Sequence, residues 1–263
     1  MEIQAPVDGA KFRLNSGMAS KDSAAPHYEF SDKYDLGHAR KYFKKHTAGF
    51  WPRLTNWREI AMAREALVLA GDPGVVLDLP CGTGRFWEML AEKTDRTIYV
   101  ADNSQAMIDT GLAARPGAVT SRIREAFQCS AFDTGLPDDL VECVFSIRLM
   151  HHIEKSEDRI LMLKEFARIS SGTVIVSLWV DGNFRACQRR RLEEKRAQRT
   201  GDERPHNRSV IARSEIEHDF SAAGLDVIGH VDFMKHWDQR RTYVLRVRNV
   251  LVRQKFDQPP AFA

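Results

Sequence analysis

No apolar run approaches the roughly 20 residues that a membrane-spanning helix needs, and the first residues lack the charged start and apolar centre of a signal peptide. A soluble, cytoplasmic protein is the expectation. The four cysteines, Cys81, Cys129, Cys143 and Cys187, are scattered without C-x-x-C pairing, which disfavours a disulfide framework or a metal site and points to reducing surroundings. Internal repeats and nucleic-acid reader motifs are also missing. The 263 residues, 43% of them hydrophobic, suffice for one sizeable domain whose core needs no staples. A further absence is local. The glycines at 82 and 84 lack the third glycine of the dinucleotide fingerprint, whose position is Trp87, so a nicotinamide or flavin site is disfavoured.

Those glycines sit in the stretch around which the chain is organised, Val75 to Phe86. Val75 to Leu79 have the two-sided apolar character of a buried parallel strand, and Pro80 cannot continue a ladder. Gly82 and Gly84 remove two Cβ atoms where the backbone turns sharply and a ligand comes close. From Arg85 onward Phe86, Met89 and Leu90 recur at helical spacing. The order is strand, glycine loop, helix. A turn at the carboxyl end of a central strand is where open α/β sheets bind ligands. Thr97 to Ser104 then reads as a second strand ending in Asp102, eighteen residues after Gly84. That separation places a carboxylate beside the loop, ready to accept hydrogen bonds from ribose hydroxyls. Asp-Asn-Ser is also good helix-capping sequence, with Ser104 the cap for Gln105 to Leu112.

Further strands are expected at 122–127, 141–147 and 172–179, with helices over 54–70, where Trp57, Ile60, Ala61, Ala63, Leu67 and Val68 recur, and over 156–169. A helix from Arg213 ends at Gly224, and 225–233 and 242–247 pair as the last strands. Strand ends face the crevice, so Arg148, His151 and His152 after the fourth strand, and Trp179, Asp181, Asn183 and Arg185 after the fifth, are placed to meet cofactor or substrate. Each has a plainer reading. One of two adjacent histidines on a turn can cap or pack against the next helix, and Asp-Gly-Asn is ordinary turn sequence.

Leu77-Asp78-Leu79-Pro80-Cys81-Gly82-Thr83-Gly84 resembles the first motif of the class I S-adenosylmethionine (SAM) methyltransferases, in which an acid precedes a C-G-T-G turn. Pro80 stands where that family usually has glycine. Leu136-Pro137-Asp138-Asp139, the string Arg148-Leu149-Met150-His151-His152-Ile153, and Arg240 to Arg246 extend the resemblance, the nearest group being that of the ubiquinone and menaquinone biosynthesis methyltransferases. Cys129-Ser130-Ala131 replaces the usual Gly-Asp-Ala, leaving Ser130 or Asp133 for the adenine edge. The resemblance implies a Rossmann-like, doubly wound α/β fold: a seven-stranded, mostly parallel sheet with an antiparallel last strand, an N-terminal helical cap and a basic helical insertion after the fifth strand. It implies SAM as cofactor, bound by Asp78, Pro80, Cys81, Gly82, Thr83, Gly84, Asp102, Asn103, Ser130, Ala131, Phe132 and Arg148.

Under that reading residues 1–25 are a flexible arm, 26–53 a cap or lid whose aromatic stripe offers Tyr42 to the substrate, 54–250 the SAM-binding domain and 251–263 a tail. The reaction is methyl transfer to oxygen or nitrogen, ahead of carbon, of a small polar or anionic acceptor, with His152 or His151 taking a hydroxyl proton. Tyr42, Trp179, Asp181, Asn183 and Arg185 are the substrate candidates. Charge leaves other readings open. Nine Lys/Arg face five Asp/Glu over 181–209, and seven face one over 235–255, within a chain of net charge +3. Such a surface is either a solvated face or an anion-binding flap. A large anionic acceptor, a phosphorylated envelope glycolipid or nucleic acid, and a SAM-binding regulator without turnover are the alternatives. No metal is expected, and no oligomeric state is implied.

Overall fold

The structure, a computed structural model, describes residues 50–200 and 209–248. Tyr42, the arm, most of the cap, the end of the basic insertion and the tail lie outside the described residues. In chain order the elements are α1 (Phe50–Leu69), β1 (Val75–Asp78), α2 (Trp87–Leu90), β2 (Thr97–Asp102), α3 (Gln105–Ala114), α4 (Gly117–Thr120), β3 (Ile123–Gln128) and β4 (Val141–Ser146). A 3-10 turn (Met150–His152) precedes α5 (Ser156–Ile169), β5 (Ser170–Trp179), α6 (Phe184–Thr200), α7 (Arg213–Ala222), β6 (Leu225–Asp232) and β7 (Arg240–Val247).

The seven strands form one sheet in the order β3-β2-β1-β4-β5-β7-β6. Only β7 runs antiparallel to its neighbours, pairing Ile175 with Val244 on one side and Val231 with Thr242 on the other. Successive side chains point to opposite faces, and both faces are apolar because both are covered. Val76, Cys143, Phe145, Ile175 and Val244 meet Met62, Ala63, Ala66 and Leu67 of α1 on one face. Leu77, Val144, Val174, Val176 and Leu245 meet Met162, Leu163 and Phe166 of α5 and Phe220 of α7 on the other. The order reverses between β1 and β4, so a crevice opens at their carboxyl ends.

Three local features differ from the expectations. The helix after the glycine loop is a single turn, Trp87–Leu90, since the chain turns again at Glu92 to Asp95. Its Trp87, fully buried, fills a niche left by Gly84 and Gly111. A Cβ at Gly111 would lie 2.8 Å from Trp87 Cη2, and one at Gly84, whose φ is +71°, would overlap the indole. The missing Cβ at Gly84 thus leaves room for the tryptophan. On α1 the buried stripe runs through Met62, Ala63, Ala66 and Leu67, leaving Trp57 62% and Val68 71% exposed. Ser104 begins α3 without a side-chain cap. Its backbone N–H instead donates to Asp102 Oδ1 at 2.9 Å.

Candidate active site

A cavity at the ends of β1, β2 and β4 is lined by Pro80, Cys81, Gly82, Thr83, Asp102, Asn103, Ser130, Ala131, Phe132, Arg148 and His152, among others. Asp102 ends β2 because its carboxylate has work beyond the ladder. Oδ2 accepts the Gly82 N–H at 2.9 Å while Oδ1 accepts that of Ser104, so one side chain ties the glycine loop to the start of α3. Burial pushes this carboxyl above its usual range, against the opposing backbone donors of Ser104, Gly82 and Asn103. Gly82 has φ +54°, and an added Cβ would approach only Met107 Cε, at 3.7 Å. Its bare edge lies on the cavity wall. Ser130 borders the cavity, its Oγ accepting the Phe132 N–H at 3.2 Å, whereas Asp133 does not.

Asp78 and Gly84 lie behind this wall rather than on it. Asp78 is 1% exposed, and its Oδ2 has no hydrogen-bond partner among the described residues. Burial first, then the charge of Asp102, pushes its carboxyl well above the normal range, with Trp87 opposing. Burial, and then the charges of Asp78 and Asp102, likewise push the Cys81 thiol well up, so Cys81 stays a neutral wall group.

A second cavity lies between α1, the ends of β4 and β5, α6 and the start of β7. Arg85, Ile147 and Arg148 line both cavities and form the boundary between them. Trp179, Arg185 and His151 are brought here together with Arg240 and with residues that carried no motif: Asn56, Glu59, Arg189, Asp238 and Gln239. The wall holds six arginines and two carboxylates. Glu59 is their hub, 3.2 Å from Arg240 Nη1 and 3.8 Å from Arg148 Nη1, with Arg85 Nη2 closer still. Burial raises its pKa, but the guanidiniums of Arg85, Arg148 and Arg240 outweigh burial and hold the carboxyl below the usual range. Glu59 is thus ionised. The sequence did contain a signal, because Asn56 and Glu59 continue the buried stripe of α1 one turn toward its N-terminus as polar residues on an inward face.

The two histidines part. His151 is buried, stacks on Trp179 at 5.1 Å with the rings nearly parallel, and faces the second cavity, while His152 faces the first. Their rings are 4.4 Å apart, spanning the boundary. Asp181 and Asn183 stand apart from both cavities. Asp181 Oδ1 accepts the Arg213 N–H, and Asn183 bonds Val180 O and the Ala186 N–H. Asn183 shapes the turn into α6, and Asp181 ties that turn to the start of α7.

A parallel sheet with one antiparallel strand in this order, and a carboxylate-bearing crevice at its reversal point, define a class I methyltransferase fold. Residues 76–171 match the family described as a methyltransferase domain. Among solved structures, the chain is similar to magnesium protoporphyrin IX methyltransferase from Synechocystis PCC 6803 with bound S-adenosylhomocysteine, at 14% identity and TM-score 0.63, covering 84% of this chain and 98% of that one. It is also similar to geranyl diphosphate C-methyltransferase from Streptomyces coelicolor A3(2), at 13% identity and TM-score 0.52, covering 71% and 77%. No curated protein matches the sequence. By the family match over 76–171 and that fold, the chain is an enzyme whose cofactor is SAM. No helix among the described residues is long and apolar enough to cross a membrane.

Proposed function

We propose that this enzyme transfers a methyl group from SAM, seated in the first cavity, to an oxygen or nitrogen of a small polar or anionic acceptor in the second. The observation that carries this reading is the common wall of Arg85, Ile147 and Arg148, which puts the two sites in contact. Three features of the first cavity suit the cofactor: a buried carboxylate with lone pairs left for ribose hydroxyls, a bare glycine edge at Gly82, and Ser130 in place of the usual acid at the adenine end. SAM supplies a methyl group already activated by its sulfonium, so the protein needs chiefly to align the partners and exclude water.

The chain contributes as follows. Asp102 and the Gly82 loop hold the nucleoside; Pro80 to Thr83, Asn103 and Ala131–Phe132 close around it. Arg148 at the boundary and Trp179 with Arg185 in the second cavity orient the acceptor. For a hydroxyl acceptor, the oxygen forms a bond to the methyl carbon, the methyl–sulfur bond breaks, and the hydroxyl proton passes to the His151–His152 pair. The strings around Gly82 and His151–His152 support kinship with the ubiquinone and menaquinone biosynthesis group. The unit 54–250, with 26–53 as cap, is the working enzyme, and the cytoplasm is its setting. The test is a thermal-shift comparison of SAM with NAD, then a screen of cell fractions with methyl-labelled SAM. Stabilisation by SAM alone and label in a small product are expected; stabilisation by NAD instead overturns the proposal.

A further inference from the structure

Arg85 keeps one buried guanidinium nitrogen unmatched among the described residues. Its Nε donates to Asn56 Oδ1 at 2.6 Å and its Nη2 pairs with Glu59, yet Nη1 is buried without a partner among the described residues. The side chain is only 9% exposed and lies on the wall common to both cavities. Arg148 stands across the same boundary. Its φ of +70° is a left-handed conformation that an L-residue adopts only when its surroundings enforce it. Here the enforcing contact is its own N–H, which donates to Ser177 Oγ at 2.8 Å. Its guanidinium is 3.8 Å from Glu59, too far for a hydrogen bond.

One carboxylate therefore faces three guanidiniums, and Asp238, the other acid on the wall, is taken up by Arg240, with Arg185 3.8 Å away. A buried guanidinium N–H left unmade is unfavourable, and an oxyanion is the group that completes a planar fork. We propose that Arg85 and Arg148 form a clamp for a carboxylate or phosphate group of the acceptor, with Glu59 the positioning residue that sets the two forks. The acceptor is then an anion, anchored beside the boundary the methyl group crosses. The inference rests on the methyltransferase reading and makes it narrower.

The test uses the full chain with S-adenosylhomocysteine bound, titrated calorimetrically with benzoate, inorganic phosphate and, as a neutral control, benzamide. Either anion binding at least tenfold tighter than benzamide supports the clamp, benzoate alone indicating a carboxylate acceptor and phosphate alone a phosphorylated one. Arg148→Gln, which removes no side-chain hydrogen bond among the described residues, is expected to weaken that anion at least fivefold in a protein that still binds S-adenosylhomocysteine; Arg190→Gln on the outer face of α6 leaves anion binding as in the parent. Equal affinity for anion and benzamide, or an Arg148→Gln protein that binds the anion like the parent, overturns the clamp and leaves the methyltransferase reading intact. Loss of S-adenosylhomocysteine binding in Arg148→Gln also overturns it, because the fork then serves the cofactor's own carboxylate. A parent chain that fails to bind S-adenosylhomocysteine overturns the methyltransferase reading itself, and the clamp with it.

Discussion

Two acidic side chains beside the glycine loop have opposite duties. Asp102 is worth its burial because it ties Gly82 to Ser104 and faces the cavity; Asp102→Ala is expected to weaken SAM binding by at least tenfold, measured by calorimetry, with the fold retained in circular dichroism. Burial behind the wall, and then the charge of Asp102, hold the Asp78 carboxyl well above the usual carboxylate range in the folded protein. An acid with a raised folded pKa favours the native state below its unfolded pKa and loses that contribution as pH climbs through the folded value. Asp78→Asn should therefore be the more stable protein at pH 7, with an advantage over the parent that shrinks toward pH 4 in urea titrations. A constant difference across that range would show that the Asp78 carboxyl titrates alike in the folded and unfolded protein, and so is not raised by folding. Gly84→Val is expected to fail differently. It places a branched Cβ at φ +71° and against the Trp87 indole, so a loss of about 2–4 kcal/mol from strain and overpacking should appear in unfolding without any ligand present.

Between elements, the α5–α7 contact is fixed by an ion pair sealed from water. Arg159 of α5 is 1% exposed and Asp219 of α7 is fully buried; Nε donates to Asp219 Oδ2 at 2.6 Å, Nη1 to Glu154 O, and Ser156 Oγ to Asp219 Oδ1. Removing Asp219 leaves the buried Arg159 with only the half-exposed Glu215 as counter-charge, so Asp219→Ala should destabilise the protein by about 3 kcal/mol in chemical denaturation, and Asp219→Asn by less, since the amide oxygen still accepts. Periodicity could not reveal this pair. The sequence marks an apolar face at Ile160, Leu161, Leu163 and Phe166, yet Leu161 is exposed and Arg159 is inside, because a guanidinium with enough acceptors is as buriable as a leucine. The strands, by contrast, were legible almost to the residue. Two-sided apolar runs ending in Asp78, Asp102 and Ser146 have no alternative to a covered parallel sheet. The first cavity was legible for the same reason, as its lining residues follow strand ends in short strings. The second cavity was not, since Glu59, Arg85 and Arg240 converge from α1, the loop after β1, and β7, and only the fold brings them together.

At the scale of the molecule, the excess of basic residues divides into two populations with different consequences. Arg85, Arg148, Arg240 and Arg241 face inward around the second cavity, while Arg190 and Arg191 lie on the exposed side of α6. A small anion enclosed by the first set is insulated from bulk salt, because partly buried pairs are screened far less than exposed ones. A polymeric anion lying along α6 would instead displace counterions, and a protein making six to ten phosphate contacts loses about 10³–10⁵ in affinity between 50 and 200 mM salt. With a labelled acceptor in hand, kcat/KM should fall by less than about tenfold over that salt range, and the double change Arg190→Gln with Arg191→Gln should leave it within about twofold of the parent. A steep salt slope that flattens in the double variant would move the acceptor out of the cavity and onto the helix. The expected shallow slope makes α6 a solvated wall, which contributes Arg185 and Arg189 to the cavity from its inner side and keeps its remaining charge in water.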